Sequence, residues 1–329
     1  MFGNKIKIGV IGGTGLDEPN ILKSPVAREV TTPWGPPSDR LITGQIHGVD
    51  VVLLARHGRN HTIHPGLINY RANLWALRAE GCTHVLVTNA VGSLREEILP
   101  GDIVFIDQFV DRTTRRDQTF HDGAPNSLPG VCHIPMAYPF DQEVRQILLE
   151  VAKDLNVPRY HSTGTVAVIE GPRYSSKAES QLLRAWNCQV VGMTSVPEVV
   201  LANELGMAYA SIGLVTDTDC WKDSEHVTAD LVVQRFKEFA KLVVDILYHT
   251  IDRMRLYDWQ PMIFRRQAML RDAIMLPKEF EGQHPFVNPH PTPGISIPAD
   301  AKLPTVKPRG TVRTDVTGPI AKKGEPDLP

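Results

Sequence analysis

Short apolar patterns typical of β-strands alternate with amphipathic helix patterns along the chain from residue 5 to about residue 250. Runs rich in β-branched residues, such as VDVVLLAR and THVLVTNA, are typical of strands buried on both faces of a sheet. Segments such as NYRANLWALRAEG and DQEVRQILLEVAKDLN instead place their apolar residues at helical spacing. This alternation, without an internal repeat, predicts a three-layer α/β/α fold built on one central sheet. Within it, DIVFIDQFV is read as one strand and the segment from Val227 to Met254 as one long helix.

Composition argues against several classes of function. The 329 residues carry a formal net charge of −2, so no basic surface for nucleic acid is predicted. No apolar run reaches the ~20 residues that a membrane-spanning helix needs, and the N-terminal segment has no signal-peptide pattern. The four cysteines lie far apart without a C-x-x-C pair, which argues against a zinc site or a disulfide framework. We therefore expect a protein of the reduced cytosol without nucleic-acid or membrane partners.

The last fifty or so residues differ in composition from the rest of the chain. Residues 279–329 contain ten of the 26 prolines and two aromatic residues, Phe280 and Phe286. Such a segment cannot bury enough apolar surface to offset the entropy of an ordered chain. We therefore expect a catalytic domain at residues 1–278, followed by a proline-rich, mobile tail at 279–329 without a catalytic role.

The first strand pattern, IGVIGGTGL, runs into a glycine-rich turn like the one that opens a dinucleotide-binding unit. Such a unit needs G-x-G-x-x-G, and an acidic residue ~20 positions later to hold a ribose hydroxyl. Here Gly13 and Gly15 supply the first two glycines, but Glu18 occupies the third position and no suitable carboxylate follows. The turn is therefore a poor dinucleotide site, which leaves a structural turn or a cradle for a smaller anion.

Polar side chains, and the main-chain amide of Ala90, follow several of the predicted strands, where an open α/β sheet binds its ligands. These residues are Thr14, Arg56, His57, Asn89, Ala90 and Thr194. Taken singly, each residue could have a purely structural role, such as a solvated side chain at the edge of the sheet or a helix N-cap. Together, a guanidinium, hydroxyl groups and amides near a helix N-terminus predict a small pocket for inorganic phosphate.

The segment LVTDTDCW places two carboxylic acids, Asp217 and Asp219, at the end of a buried apolar strand. Since side chains alternate along a strand, residues two apart are expected to point to the same side. Burial raises the pKa of a carboxyl group, so one of the pair is a candidate general acid toward a heterocycle. A helix cap or a turn pair is the competing interpretation. Tyr174, in EGPRYSS, offers an aromatic face on which a base can stack.

Seven long motifs occur in order along the chain: IGVIGGTG, LLARHGRNHTI, TNAVGSLREEILPGDIV, GVCHIPMAYPF, IEGPRYSSKAES, MTSVPEVVLANE and TDTDCW. Together they resemble the trimeric purine nucleoside phosphorylase family, and within it the members that cleave methylthioadenosine. The similarity runs from about Lys5 to Leu276. It implies a mixed, twisted central sheet with a distorted barrel, and a homotrimer with active sites near the subunit interfaces.

The resemblance also implies roles for individual residues. Phosphate would be held by Thr14, Arg56, His57, Asn89, Ala90 and Thr194. The nucleoside would be bound by Tyr174, Ser175, Met193, Asp217, Asp219, Ala229 and Val232, with Met193 under the ribose and the two aspartates as catalytic residues. The site of a neighbouring subunit would be completed by His133 and Met275, the latter in AIMLP, which matches a C-terminal helix of the family.

The activity implied by the resemblance is phosphorolysis of S-methyl-5′-thioadenosine in purine and methionine salvage. Inorganic phosphate would be a co-substrate, no metal or organic cofactor would be needed, and the protein would be cytoplasmic and also nuclear. Two positions depart from the pattern, because Asn89 stands where threonine is usual and Tyr174 replaces phenylalanine. They leave open a purine nucleoside phosphorylase with a broader range of 5′-hydroxy nucleosides. A non-catalytic nucleoside-binding module is a more distant alternative.

Overall fold

The computed structural model describes residues 6–12, 21–223 and 227–278. The predicted phosphate ligand Thr14 and the predicted tail at 279–329 lie outside the described residues. The boundary between domain and tail therefore stays a prediction.

One large mixed sheet organises the described chain. The strands of the described chain, in order, are β1 (Lys7–Gly12), β2 (Lys23–Arg28), β3 (Leu41–Ile46), β4 (Val49–Ala55), β5 (His84–Ser93), β6 (Ile103–Ile106), β7 (Gln108–Arg112), β8 (Val131–Cys132), β9 (Tyr160–His161), β10 (Thr165–Ile169), β11 (Val190–Gly192), β12 (Ala208–Asp217) and β13 (Ile274–Met275). Strands β8 and β13 form a separate two-stranded sheet, and the other strands belong to the large sheet. In the large sheet β2, β3, β4, β1, β5, β11, β10 and β7 lie side by side in that order. From β5 a second branch continues through β12 and β6 to β9.

Strand β5 is the junction of this sheet. Its first residues pair in parallel with β1, and its last residues pair antiparallel with β11, where Val191 lies opposite Gly92. Strand β12 also pairs in parallel with β5 and is buried along its whole length. The expected α/β fold with a mixed central sheet is confirmed. The described pairings form a branched sheet rather than a closed ring, so the distorted barrel stays a prediction.

Helices cover both faces of the sheet. They are α1 (Tyr70–Ala79), α2 (Gln142–Asp154), α3 (Lys177–Ala185), α4 (Ser195–Glu204), α5 (Ala229–Met254) and α6 (Gln260–Ala273). Helices α1 and α4 contribute to one hydrophobic cluster, which contains Trp75 of α1. Helices α2, α5 and α6 contribute to a second cluster, which contains Ile246 of α5. Because side chains alternate along a strand, Val85 and Val87 of β5 face the first cluster and Leu86 faces the second.

Local sequence signals account for several helix boundaries. The side chain of Asp141 caps α2 by accepting from the third main-chain N–H beyond it, and Thr228 caps α5 in the same way. Ser176 and Glu179 form a reciprocal capping box at the start of α3. Just beyond α1, Gly81 adopts a φ of 87°, which turns the chain away from the helix direction.

The segment DIVFIDQFV is two strands rather than the single strand expected. Strand β6 pairs with β12 and β9, whereas β7 pairs with β10. Asp107 marks the break, because its main-chain N–H donates to the Gly164 carbonyl at 3.3 Å and its Oδ1 accepts from the Gly164 N–H at 3.0 Å. A side chain that competes for main-chain hydrogen bonds interrupts the ladder, so the chain changes partners at this residue.

Met275 does not lie in a helix, so that expectation is wrong. Helix α6 ends at Ala273, and Met275 belongs to β13, opposite Val131 of β8. The AIMLP motif thus starts at a helix end and continues as a strand, because Ile274 and Met275 pair with β8. Pro277 disfavours helical backbone only at Leu276, the residue directly before it. In the described part of the chain no helix has the length and apolar character needed to span a membrane.

Candidate active site

A cavity of about 340 Å³ lies where the ends of β4, β11 and β12 meet the second half of β5. Its lining includes most of the residues predicted from the sequence: Arg56, His57, Asn89, Ala90, Tyr174, Ser175, Met193, Thr194, Asp217, Asp219, Ala229 and Val232. Asn89 and Ala90 lie inside β5, which continues to Ser93, rather than after a strand as expected. The extension exists because β11 and β12 both pair with this end of β5.

Arg56 carries a guanidinium that is already paired with a carboxylate. Its Nε and Nη2 donate to the two oxygens of Glu198 at 2.7 and 2.8 Å, and Nη1 donates to the Thr88 carbonyl at 3.1 Å. Burial alone would lower the pKa of Arg56, but the Glu198 carboxylate raises it above its ordinary value, so the group stays charged. One further N–H on each of Nη1 and Nη2 makes no bond within the described part of the chain and is available to an anion.

Glu198 is a residue of this site that the sequence reasoning missed. It is fully buried on α4, and its Oε1 also accepts from the Tyr209 hydroxyl at 2.8 Å. A glutamate inside the apolar pattern SVPEVVLANE was the available signal, since buried glutamates are almost always paired. Its carboxylate holds the guanidinium plane of Arg56 in one orientation and offsets part of its charge.

Three histidines of the loop after Arg56 line the cavity, and two of them, His61 and His64, were not predicted. The Nδ1 of His57 donates to the Ile63 carbonyl at 2.8 Å, and the rings of His57 and His61 lie 4.4 Å apart. Burial, together with the Arg56 charge, lowers the pKa of His57 to about 4, and burial lowers the pKa of His61. Both imidazoles are therefore neutral at pH 7. The positive charge beside them is carried by Arg56.

Asn89 and Thr194 are held together beside the cavity. The Thr194 hydroxyl donates to Asn89 Oδ1 at 3.0 Å, and Asn89 Nδ2 donates to the Ser211 hydroxyl at 2.8 Å. Thr194 occupies the N-cap position of α4, but its side chain makes no capping hydrogen bond. Its hydroxyl therefore orients the Asn89 amide instead of capping the helix.

Asp217 is a buried carboxyl group with a fixed orientation. Its Oδ1 accepts from the Thr216 hydroxyl at 2.7 Å, and its Oδ2 accepts from the Asp219 N–H at 3.0 Å. Burial outweighs these two hydrogen bonds and raises the pKa of Asp217 above its ordinary value. A Cβ at Gly92 would lie 2.8 Å from Asp217 Oδ2, so glycine at that position leaves room for the carboxyl group.

Asp219 faces the same cavity, but not for the reason expected from strand alternation. Strand β12 ends at Asp217, and Asp219 lies in the following turn with a φ of 45°. Ser180 of α3 donates to Asp219 Oδ2 at 2.6 Å, and burial raises the pKa of Asp219. Ser180 carried no local signal of this role, because its partner is remote in sequence.

The remaining wall is mostly apolar, with two polar groups from the segment after β10. Tyr174 is partly exposed, and burial together with the nearby Asp217 raises the pKa of its phenol. The hydroxyl of Ser175 is buried and, within the described ranges, has no hydrogen-bond partner of good geometry. Met193 follows β11, and α5 contributes apolar side chains from its first turn. This combination suits a small molecule with a polar heterocycle and an apolar substituent.

His133 and Met275 do not line the cavity of their own chain. They lie on one exposed surface, formed by Val131, His133 and Met275, which we call the β8–β13 surface. Val131 and Met275 are opposite each other on the paired strands and are 51% and 68% exposed. The main-chain N–H of His133 donates to the Ala273 carbonyl at 2.9 Å, which ties the segment after β8 to the end of α6.

The described residues contain no group of three or more histidine, cysteine, aspartate or glutamate side chains that could hold a metal ion. That the protein needs neither a metal nor an organic cofactor stays a prediction.

Comparisons with known proteins agree with this fold. A family model described as the phosphorylase superfamily matches residues 7–252. The S-methyl-5′-thioadenosine phosphorylases of Xenopus tropicalis and Danio rerio are 54% and 57% identical to this chain over 275 and 274 residues, which is 83% of the chain and 98% of each relative. The structure of methylthioadenosine phosphorylase from Schistosoma mansoni in complex with adenine is similar with a TM-score of 0.80 and 43% identity, over 82% of this chain and 99% of that one.

The mixed α/β sheet with a cavity at its strand ends thus defines a nucleoside phosphorylase-type protein of the phosphorylase superfamily. Within that superfamily, the chain belongs to the S-methyl-5′-thioadenosine phosphorylase family. The resemblance seen in the sequence motifs is confirmed.

Proposed function

We propose that this protein cleaves S-methyl-5′-thioadenosine with inorganic phosphate to give adenine and 5-methylthioribose 1-phosphate. One observation carries the proposal: a single cavity holds the charged Arg56 guanidinium and the buried Asp217 carboxyl group of raised pKa. The first can bind phosphate and the second can protonate a departing base. The names of the Xenopus tropicalis and Danio rerio relatives, and the adenine bound to the Schistosoma mansoni enzyme, support the same assignment.

Phosphate would be held by directed hydrogen bonds from Arg56, from the second Nδ2 proton of Asn89, and from the Thr194 hydroxyl once it turns from Asn89 Oδ1 to the anion. The resemblance adds Thr14, His57 and Ala90 to this set. Because Glu198 offsets part of the Arg56 charge, the phosphate oxygens are not neutralised by an unpaired cation and remain nucleophilic. Because the His57 imidazole is neutral at pH 7, it adds no further positive charge beside the phosphate.

The adenine ring would lie against Tyr174, with Ser175, Asp217 and Asp219 at its polar edge. A protonated Asp217 can donate to N7, while its other oxygen accepts from the 6-amino group. The two hydrogen bonds from Thr216 and Asp219 leave each Asp217 oxygen with capacity for one further bond. A serine at 175, rather than an acidic residue, suits the acceptor N1 of adenine.

In the proposed reaction the C1′–N9 bond lengthens and its electron pair passes to the base. The sugar approaches an oxocarbenium ion, which the phosphate stabilises and then attacks to form the C1′–O bond. Asp217 gives its proton to N7 of the departing adenine. The proton that HPO₄²⁻ loses on becoming an ester restores the Asp217 acid, so the protons balance.

The test follows cleavage of S-methyl-5′-thioadenosine, adenosine and inosine, each with and without phosphate. We expect cleavage that requires phosphate, with the methylthio nucleoside preferred over inosine. Cleavage without phosphate would identify a hydrolase, preference for inosine would identify a 6-oxopurine enzyme, and binding without turnover would identify a non-catalytic module. Each of these results would overturn the proposal.

A broader range of 5′-hydroxy nucleosides is the second candidate function. The observation that favours it is Asn89, whose amide lies in the cavity between Thr194 and Ser211 where the family usually has threonine. One similar structure is of an enzyme named adenosine/methylthioadenosine phosphorylase from Schistosoma mansoni. Appreciable turnover of adenosine in the same assay would support this candidate.

The proposed assembly is a homotrimer in which the β8–β13 surface closes the site of the next subunit. Its exposed apolar side chains are unusual for a free surface. His133 would then reach toward the sugar and Met275 would cover the methylthio group. We further propose a role in purine and methionine salvage, in the cytoplasm and also in the nucleus.

A further inference from the structure

Arg116 is a buried arginine that lies behind the cavity wall and is not among the residues that line this cavity. It follows β7, and its side chain is 2% exposed. Its guanidinium donates to three segments of the chain that are far apart in sequence. All three segments carry residues that line the cavity.

The first segment is the connection between β11 and α4. Arg116 Nη1 donates to the carbonyls of Met193 and Val196 at 2.6 and 2.7 Å. Met193 lines the cavity directly, and Thr194 follows it. These two bonds hold the main chain on both sides of Thr194.

The second segment leads from β10 to Tyr174 and Ser175. Arg116 Nη2 donates to the Glu170 carbonyl at 2.7 Å, and Nε donates to the Glu170 carboxylate at 3.0 Å. The same carboxylate accepts from the Thr114 N–H at 2.7 Å, so Glu170 is anchored on two sides. The chain then continues to the wall that would hold the base.

The third segment is the loop at Pro65, which also lines the cavity. Arg116 Nη1 shares one of its two protons with the Tyr70 hydroxyl at 3.2 Å, beside its shorter bonds to Met193 and Val196. That hydroxyl donates to the Pro65 carbonyl at 3.0 Å. Through Tyr70, Arg116 is therefore linked by hydrogen bonds to the loop that carries the cavity histidines.

We propose that Arg116 is a positioning residue that sets the spacing between the Met193 wall and the Tyr174–Ser175 wall of the nucleoside site. This inference rests on the proposed function. A planar guanidinium can reach carbonyls on opposite sides at once, whereas a lysine ammonium is a single point charge that cannot span them. Loosening the two walls weakens nucleoside binding, because a displacement of ~1 Å in a positioned site is costly.

Arg145 offers a matched control. It is also buried and also donates to main-chain carbonyls, with Nε to Ile106 at 3.1 Å and Nη2 to Ser162 at 2.6 Å. Neither partner lines the cavity. A substitution there removes the same kind of bond without touching the site.

The experiment compares Arg116→Lys, Arg145→Lys and the unmodified protein. It measures thermal unfolding, the dissociation constant of adenine by calorimetry, and the KM of S-methyl-5′-thioadenosine and of phosphate. We expect Arg116→Lys to raise the nucleoside KM and the adenine dissociation constant ~10- to 100-fold. The phosphate KM should change less than about threefold, because Thr194 is also held by Asn89. Arg145→Lys should lower the unfolding temperature but leave these constants within about twofold.

Two results would overturn the inference: unchanged nucleoside and adenine constants in folded Arg116→Lys, or an equal loss in Arg145→Lys. Tyr70→Phe is the second test if Arg116→Lys does not fold, because it removes only the link to Pro65. It should raise the nucleoside KM ~3- to 10-fold, and an unchanged KM would count against the positioning role of Arg116. Failure of the unmodified protein to cleave the nucleoside would instead reject the proposed function, and adenine binding would still test the role of Arg116.

Discussion

At the scale of single residues, Asp217 combines two properties that oppose each other. Hydrogen bonds from Thr216 and Asp219 favour its ionised form, whereas burial favours its neutral form and raises its pKa. A carboxyl group balanced in this way is suited to give up a proton and regain it within one turnover. The raised pKa of Asp219 gives the pair two carboxyl groups that resist ionisation together.

Asp217→Asn should lower the turnover of S-methyl-5′-thioadenosine ~10²- to 10⁴-fold, the usual effect of losing a general acid. Asparagine can donate to N7 but cannot deliver a proton to it. Relative activity should move toward inosine, and further when Ser175→Glu is added to accept the N1 proton. Initial rates with saturating phosphate measure the effect, and phosphate binding by calorimetry serves as the control. Near-normal cleavage by the folded single variant would remove Asp217 from the mechanism.

At the scale of secondary-structure elements, α4 connects three parts of the molecule. Its N-cap Thr194 faces the cavity, and Glu198 in its middle pairs with Arg56. At its last residue, Glu204 accepts from the Thr119 hydroxyl at 2.7 Å and from the Phe120 N–H at 2.8 Å. A ten-residue helix thereby ties the phosphate end of the site to the loop after β7.

Glu204 should make the stability of the protein depend on pH. Burial raises its pKa from 4.5 to about 7 in the folded chain, so folding favours the protonated form. Its stabilising contribution is complete below pH 4.5 and is lost as pH rises through about 7. In Glu204→Gln the neutral amide can accept from the Phe120 N–H through Oε1 while its Nε2 donates to the Thr119 hydroxyl. The variant should therefore be more stable than the unmodified protein by about 3 kcal/mol above pH 7.5. The two should be equal near pH 4.5.

Denaturant unfolding at fixed protein concentration, from pH 4.5 to pH 8, measures this difference in the free energy of unfolding. Glu80→Gln is the control, and its stability gap should stay constant over this range. Although burial alone would raise it, hydrogen bonds from Lys7 and Arg28 lower the pKa of Glu80, so its contribution is complete above pH 4.5 and is lost only as pH falls below that value. A pH-independent gap between Glu204→Gln and the unmodified protein would show that Glu204 does not titrate in this range.

At the scale of the whole molecule, the nucleoside site of one chain is incomplete in the proposed assembly. His133 and Met275 lie on the β8–β13 surface rather than in the cavity. If that surface closes a neighbour's site, each active site draws residues from two chains.

Mixing His133→Ala subunits with Arg56→Ala subunits should restore part of the activity that each variant lacks. A mixed trimer contains sites in which an intact Arg56 of one chain meets an intact His133 of the next. Activity after joint refolding, with mixed trimers verified by mass, measures the effect. Verified mixed trimers with no regained activity would contradict a role for His133 in the neighbouring site.

A chain ending at Lys278 should retain its assembly and nearly all of its activity. The composition of residues 279–329 predicts a tail without a packed or catalytic role. Sedimentation and the phosphorolysis assay test the shortened chain against the full one. A large loss of either property would show that the tail covers the site or supports an interface.

Much of the fold could be predicted from local patterns, because strands and helices have different apolar periods and their boundaries carry capping residues. The motifs also located most of the cavity lining, since ligands of α/β sheets lie near strand ends. Local patterns failed where the chain changes pairing partners, as at Asp107, and where a helix motif becomes a strand, as at Met275. In both places the outcome depends on a neighbouring strand that no local window contains.

The sequence alone was sufficient for the α/β class, the family and the chemical types of the side chains at the site. The three-dimensional packing was needed to show that Glu198 pairs with Arg56, that Ser180 holds Asp219 and that Arg116 joins three walls. Glu198 lies 142 positions from its partner and Ser180 lies 39 from its own. Short-range periodicity reports which face of an element is buried, whereas a buried polar pair is set by which elements meet in the core. That meeting depends on the sheet order, and the sheet order places distant segments side by side.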